Sequence, residues 1–255
     1  MKKKVKPASS RTLESASPTL EFERGAGFPR SRVIGVDEVG RGCLAGPVVA
    51  AAVLLPPEWD LPLKKLVELY PEIAHITDSK AMTAKKRSEL APWIQARASA
   101  FGIAHATVEE IDQVNIYHAS HLAMKRAADA LGAFDHVLVD GNVVPIQFRK
   151  DESVKSTAII KGDLRSLSIA CASVIAKVFR DDWMKEFAVT YPGYGLEVHK
   201  GYATAKHRSA LTALGATVIH RRTFGPVREA LGLAPLAEER KLEQHLNSPF
   251  LGESF

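Results

Sequence analysis

The sequence predicts an α/β fold, a mixed central sheet flanked by helices, and three observations carry that prediction. Short runs rich in Val, Ile and Ala alternate with longer stretches of helical periodicity. Glycine or proline punctuates most of the junctions between them. Three apolar runs lead directly into an acid beside a glycine: Asp37-Glu38 before Gly40, Asp140 before Gly141, and Asp163 after Gly162. In an open α/β sheet, strands that finish at one edge gather their terminal residues in a single crevice. Convergence of Asp37, Glu38, Asp140 and Asp163 is therefore expected.

The elements follow in order. Residues 1 to 30 are rich in Lys, Ser, Pro and Gly without a period and read as a flexible basic arm, so order is expected to begin near Ser31. Arg32 to Val36 forms a strand ending in Asp37 and Glu38. Gly40 and Gly42 then turn the chain into a second, antiparallel strand, Val48 to Leu55, buried on both faces. A charged loop holding Thr77-Asp78-Ser79-Lys80 precedes a helix from Lys85 to Ala98. Phe101 to Thr107 reads as the third strand, and Thr107 with Glu110 makes a capping box. A longer helix, Ile116 to Leu131, stops at Gly132. His136 to Asp140 and Thr157 to Ile160 complete the strands. The Ala-rich stretch Ser166 to Met184 predicts a helix packed tightly on the sheet, with Ser173, Lys177 and Arg180 on one face as a stripe suited to a phosphate backbone, a merely exposed cationic face being the alternative. A further helix is capped by Thr204. Residues 31–233 are expected to form one unit, and 234–255 a flexible acidic tail.

With 255 residues, 46% hydrophobic and 25% charged, the chain is globular rather than disordered or fibrous. Its two cysteines, Cys43 and Cys171, cannot make a disulfide framework, and no Cys/His spacing suits zinc. The basic start lacks the apolar core of a signal peptide, and the longest apolar run, Leu44 to Pro57, is broken by Gly46 and Pro47. A soluble cytoplasmic protein with no membrane partner is expected. Charge is unevenly spread: residues 1–30 carry seven basic and three acidic groups, and residues 140–228 carry fourteen and eight. Clustered Lys and Arg release counterions when they meet phosphates, which points to a polyanion partner. A solvated surface accounts for the imbalance equally well when it is taken alone.

Four carboxylates around one pocket cannot all stay ionised without cations, because like charges at short range raise one another's pKa. Two divalent ions resolve the repulsion, and all-oxygen ligands select Mg²⁺ or Mn²⁺ over zinc. No Gly-x-Ser-x-Gly elbow, Walker loop or dinucleotide fingerprint competes with this chemistry. His199 and His220 could assist chemistry, but a lone histidine without a mapped partner is more often structural. Taken by itself, the segment from Asp37 to Gly42 also fits a salt-bridged strand end with a tight turn.

The strings Gly35 to Gly42, Leu44 to Ala50, Thr77 to Lys80, Val139 to Asn142, Lys161 to Asp163, Ile169 to Lys177, His199 to Tyr202 and Arg221 to Pro226 together resemble the signature series of bacterial ribonuclease HII. They occur in that family's order across roughly residues 33–232. The resemblance implies a ribonuclease H-like fold with a C-terminal helical region closing over the substrate. It also implies an endonuclease that cleaves the RNA strand of RNA/DNA hybrids and cuts 5′ of a ribonucleotide embedded in duplex DNA, leaving 3′-hydroxyl and 5′-phosphate ends. Carried over by motif, Asp37, Glu38, Asp140 and Asp163 are the catalytic acids holding two Mn²⁺ or Mg²⁺ ions. Gly40, Arg41 and Gly42 read the 2′-hydroxyl through backbone and hold its phosphate, and Tyr202 completes recognition. Lys80, Asn142, Ser173, Lys177 and Arg180 fill the expected substrate-binding set. Cys43 stands where the family often has proline. The related HIII type usually has a lysine in the Gly-x-Gly turn, where this chain has Arg41. A monomer is expected, and Gln244 to Phe250, a Gln followed by spaced apolar residues, suits docking on a sliding clamp.

Overall fold

The computed structural model describes residues 17–236. Its strands are β1 (Val33–Val39), β2 (Val48–Leu54), β3 (Ala100–Ala106), β4 (His136–Asp140) and β5 (Lys155–Ile159), in the sheet order β3-β2-β1-β4-β5. β1 and β3 pair antiparallel with β2, whereas β4 lies parallel to both β1 and β5, so the sheet is mixed as predicted. The helices are α1 (Glu21–Gly25), α2 (Leu63–Leu69), α3 (Ala84–Arg97), α4 (Val108–Asp129), α5 (Ile146–Arg149), α6 (Leu167–Thr190), α7 (Leu196–His199), α8 (Ala205–Leu214) and α9 (Gly225–Ala230).

Alternation along the strands divides the core in two. Val33, Ala51, Val53 and Leu138 face α6 and α3, while Ile34, Val36, Ala50, Ala52, Val137 and Val139 face α4. The alanines of β2 and the small residues of α6 let helix and sheet approach closely. At Gly35 the approach is extreme: a Cβ there would lie 2.3 Å from Ser168 Oγ and 2.4 Å from Ile169 N. Any side chain at this position would push α6 off the sheet.

The capping box at Thr107 and Glu110 is present in both directions. α4 then kinks at Asn115, whose φ is +66°, and its side chain accepts the N–H groups of Tyr117 and His118 to restart the helix. That restart coincides with the predicted helix beginning at Ile116. A third apolar cluster joins Leu44 and Ala45 to Met184, Tyr194, Leu196, Leu211, Ile219 and Val227, which seats the C-terminal helices beside the end of β1.

Two expectations need correction. β1 does not stop at Val36 but runs through both acids to Val39, because Asp37 and Glu38 pair with Ala51 and Ala50 of β2. Order also begins well before Ser31. Leu20 and Phe28 are buried in the main core, and Thr19 bridges to Ser166. α1 carries Glu23 to the N-terminus of α6, where its Oε1 accepts from Ser166 Oγ, Ser168 N and Ser168 Oγ. A carboxylate at a helix N-terminus satisfies free amides and opposes the helix dipole, which fixes this segment. Among the described residues, no helix is long and apolar enough to cross a membrane.

Candidate active site

The four acids come from three parallel neighbours and the turn beyond them. Asp37 and Glu38 lie on β1, Asp140 ends β4, and Asp163 follows β5 in a single 3₁₀ turn, Gly162–Leu164. The Gly162 N–H donates to Asp140 Oδ1 at 2.6 Å, tying that turn to the end of β4. Alternation should send Asp37 and Glu38 to opposite faces, yet both remain close enough to Asp140 to feel its charge. Burial pushes the Asp37 carboxyl well above the usual range, and Glu38, Asp140 and Asp163 push it further. Glu38 is raised by burial and by Asp140 although Arg41, 3.3 Å away, opposes the shift. Asp163 is raised by burial, Asp140 and Asp78, with Lys80 opposing. Burial works against the charge of Lys80, but Asp37, Asp163 and Asp78 outweigh it and hold the ammonium ionised. The predicted convergence of acids is thus present, with Lys80 beside them.

Among the described residues, no three carboxylate, imidazole or thiol side chains already close a metal cage. The donor set nonetheless fits hard divalent cations. It is all oxygen, it sits on rigid strand ends, and its mutual repulsion is what a cation relieves.

The segment Thr77-Asp78-Ser79-Lys80 docks onto α6. Ser79 Oγ meets Ser173 Oγ at 2.9 Å, and Arg87 Nη1 donates to the Ser79 carbonyl at 2.7 Å, while the nearby Ser173 hydroxyl opposes the rise of the Asp37 carboxyl. Ser173 is buried against Ser79, so it lies inside the protein rather than facing a phosphate. Asn142 is exposed just past Asp140 and Gly141.

The cationic stripe predicted on α6 is interior instead. Arg180 is 0% exposed, and it donates through Nε to Pro47 O (3.0 Å), Nη1 to Lys200 O (2.9 Å) and Nη2 to Ala45 O (3.0 Å). Lys177 is buried against Asp181, with its Nζ 5.8 Å from the Tyr202 ring centroid. Helical spacing correctly put these residues on one face, but that face packs under the Gly-Arg-Gly turn. The expected phosphate contacts of Lys177 and Arg180 are replaced by internal ones.

Arg221 does the same from the other side. Also 0% exposed, it donates from Nε to Gly46 O and from Nη1 to Arg41 O, each at 2.9 Å. Burial lowers its pKa to about 9. Two buried guanidiniums therefore hold the carbonyls of Arg41, Ala45, Gly46, Pro47 and Lys200, bracing the strap that carries Gly40, Arg41 and Gly42. The strap also pairs with the Tyr202 loop, because Leu44 N donates to Gly201 O and Cys43 bridges to Tyr202. Gly40 has φ +96° and lies against Arg180, whereas a Cβ at Gly42 would meet nothing within 4 Å. Sequence reasoning missed the bracing role of Arg221 and the link through Ser79. Both fall inside recognised strings, but nothing local marks an arginine as buried. Cys43 and Cys171 are free and buried, and burial pushes the Cys171 thiol up.

Comparison with known proteins agrees with this geometry. The family model described as Ribonuclease HII matches residues 34–227. The ribonuclease HII of Ruegeria sp. is 48% identical over 218 residues, covering 84% of this chain and 87% of that protein. Among solved structures, ribonuclease H2 from Pyrococcus horikoshii OT3 aligns with a TM-score of 0.60 at 24% identity, covering 78% of this chain and 96% of that one. The ribonuclease HII in the PCNA complex from Archaeoglobus fulgidus aligns with a TM-score of 0.55 at 23% identity, covering 81% and 99%. The structural likenesses establish a shared ribonuclease H-like fold. With the strand-end acids in place and the family model spanning sheet, strap and C-terminal helices, the chain belongs to the ribonuclease HII family of metal-dependent endonucleases.

Proposed function

We propose that the protein hydrolyses the RNA strand of RNA/DNA hybrids and cuts on the 5′ side of a ribonucleotide embedded in duplex DNA, leaving 3′-hydroxyl and 5′-phosphate ends. The observation that carries this reading is the convergence of Asp37, Glu38, Asp140 and Asp163 beside a braced strap whose outer glycine, Gly42, opens onto free space. The four acids would hold two Mg²⁺ or Mn²⁺ ions. When bound, such a pair supplies an activated water and charge for the leaving oxygen of an in-line displacement.

The remaining chemistry belongs to the chain. The Gly162 N–H fixes the Asp140 carboxylate, and the Ser173 hydroxyl beside Asp37 favours its ionised form. Arg41 is exposed while its carbonyl is held by Arg221, so its guanidinium can meet a phosphate without the turn moving. Only the 2′-hydroxyl distinguishes RNA from DNA at one residue, and the strap backbone with the Tyr202 hydroxyl is the reader. Lys80, ionised beside the acids, faces the negative charge that builds on the scissile phosphate.

The test is an end-labelled DNA duplex carrying one ribonucleotide, incubated with Mg²⁺, Mn²⁺ or chelator. Metal-dependent cutting 5′ of the ribonucleotide is expected, and an RNA/DNA tract should be cut under the same conditions. Cutting on the 3′ side, or undiminished cutting in chelator, would overturn the reading. We further propose a cytoplasmic monomer whose tail segment Gln244 to Phe250, outside the described residues, docks on a sliding clamp. The PCNA complex of the Archaeoglobus fulgidus ribonuclease HII supports the clamp. A synthetic tail peptide that leaves clamp anisotropy unchanged at high concentration retires it.

A further inference from the structure

Behind the Tyr202 loop, His199, His207 and His220 form a buried imidazole cluster that the chemistry above does not use. The rings of His199 and His207 stack with centroids 4.5 Å apart, and those of His207 and His220 are 5.4 Å apart. Their hydrogen bonds fix every tautomer. The Thr217 backbone N–H, which can only donate, lies 3.0 Å from His220 Nδ1, so that nitrogen is the acceptor and the ring proton sits on Nε2. His220 Nε2 is 3.2 Å from His207 Nε2, which must then accept, leaving the His207 proton on Nδ1. That Nδ1–H donates to the carbonyl of Tyr202 at 3.0 Å. By the same logic His199 accepts the Gly201 N–H at Nδ1 (3.3 Å) and donates from Nε2 to Tyr194 O (2.8 Å).

The donor direction therefore runs one way, from Thr217 through His220 and His207 to Tyr202. Burial pushes both His207 and His220 down, His220 to about 4, so this pair is neutral near pH 7. The loop it holds is a strained one: Lys200, a non-glycine residue, has φ +52° two positions before Tyr202. Arg180 holds the loop's Lys200 carbonyl and the Leu44 N–H its Gly201 carbonyl, while the Tyr202 carbonyl is shared between the Thr204 N–H at 2.8 Å and the His207 ring, which is the side chain that meets it from behind.

We propose that His207, polarised by His220, is a positioning residue for Tyr202: it holds the Tyr202 carbonyl and so sets the phenol against the sugar of an embedded ribonucleotide. This rests on the reading of Tyr202 given under the proposed function. A single ribonucleotide offers one register for that contact. A hybrid tract offers many, so loss of the anchor should weigh more on the former.

Two measurements test it. Nitrogen-15 NMR of the wild-type imidazoles at neutral pH should report His207 as the Nδ1–H tautomer and His199 and His220 as Nε2–H. His207 found as Nε2–H, or as an averaged ring, overturns the proposal without any variant. In the second, His207→Asn keeps an N–H near the ring Nδ1, whereas His207→Phe removes it. His207→Phe should lower kcat on a single-ribonucleotide duplex by about tenfold, the upper range for one hydrogen bond, and on a hybrid tract by less than about threefold, while His207→Asn stays within about threefold of wild type on both. Should His207→Phe fail to fold, His220→Leu serves, with the same selective loss expected and with loss of the fixed His207 tautomer in its spectrum. Equal losses on both substrates, or no rescue by His207→Asn, would make the relay structural only and overturn the proposal. Tyr202→Phe run in parallel separates the two ideas. If that variant keeps full discrimination while the tautomers stand, the reading of Tyr202 fails rather than the anchoring of its carbonyl.

Discussion

Gly40 and Gly42 flank Arg41, and the structure gives them different reasons to be glycine. At Gly40 the backbone has φ +96°, and a Cβ would fall 2.2 Å from Arg180 Nε and 2.8 Å from its Cδ. Arg180 is pinned by three carbonyls and has no room to yield. Gly40→Ala should therefore incur a left-handed backbone cost of about 1–2 kcal/mol and an overpacking cost of about 1–3 kcal/mol. Their sum, about 2–5 kcal/mol, lowers Tm by roughly 4–20 °C in a chain of this size. At Gly42 a Cβ meets nothing within 4 Å, so Gly42→Ala should stay within about 0.5 kcal/mol of wild type and within roughly 2 °C in Tm. If the open space over Gly42 receives the ribose, the same methyl group obstructs substrate, and cleavage of a single-ribonucleotide duplex should fall about tenfold or more, about 1.4 kcal/mol at the transition state. Thermal melting and single-turnover cleavage of both variants make the comparison. A Gly42→Ala enzyme that cuts at the wild-type rate, or that melts as early as Gly40→Ala, would refute the reasoning.

Asp140→Asn should fold and bind hybrid yet lose nearly all cleavage, since an amide keeps the shape but removes a charge needed for cations; substantial activity in saturating Mg²⁺ would mean that Asp140 is no metal ligand. Tyr202→Phe should cost about two- to tenfold in rate, and Tyr202→Ala about a further 1–3 kcal/mol, more on a single ribonucleotide than on a tract, and equal losses on both would argue for a role in folding. Removing residues 1–16, which hold five basic groups and one acidic, should weaken binding at low salt and flatten its salt dependence, whereas removal through Arg30 also takes Leu20, Glu23 and Phe28 from the core and should lower Tm. Burial holds the Glu23 carboxyl above its usual 4.5 despite the bonds from Ser166 and Ser168, so between 4.5 and that raised value the folded chain binds a proton that the unfolded chain has released. Stability contributed by this group falls as pH rises through that window. Denaturant unfolding of Glu23→Gln across the same range should show that slope removed, and an unchanged slope would exclude Glu23 as its source.

What the sequence disclosed and what it hid divide along a physical line. Strand positions, the capping box at Thr107, the restart of α4 near Ile116 and the acids beside glycines all depend on short-range pattern, and each reappears within a few residues of its expected place. β1 outran its prediction because strand length is decided by the partner: β2 pairs as far as Val39, and the low intrinsic preference of Asp37 and Glu38 for strand is overridden. Arg180 shows the limit most clearly. Its spacing with Ser173 and Lys177 is helical, but the same spacing describes a solvated cationic stripe and a buried brace equally well. What decides between them are the carbonyls of Ala45 and Pro47, which lie more than a hundred residues away in sequence. Glu23 and Arg221 are hidden for the same reason, since each is an ionisable, buried residue whose hydrogen-bond partners lie far away in sequence. Burying an ionisable group is costly unless hydrogen bonds offset it, and here the offsetting bonds go largely to backbone groups, so these residues sit where backbone is held still. In this chain that place is the strap from Gly40 to Pro47 and the loop at Tyr202. The residues proposed to touch substrate sit in legible strings, while the groups that brace them are visible only once the fold has brought their partners together.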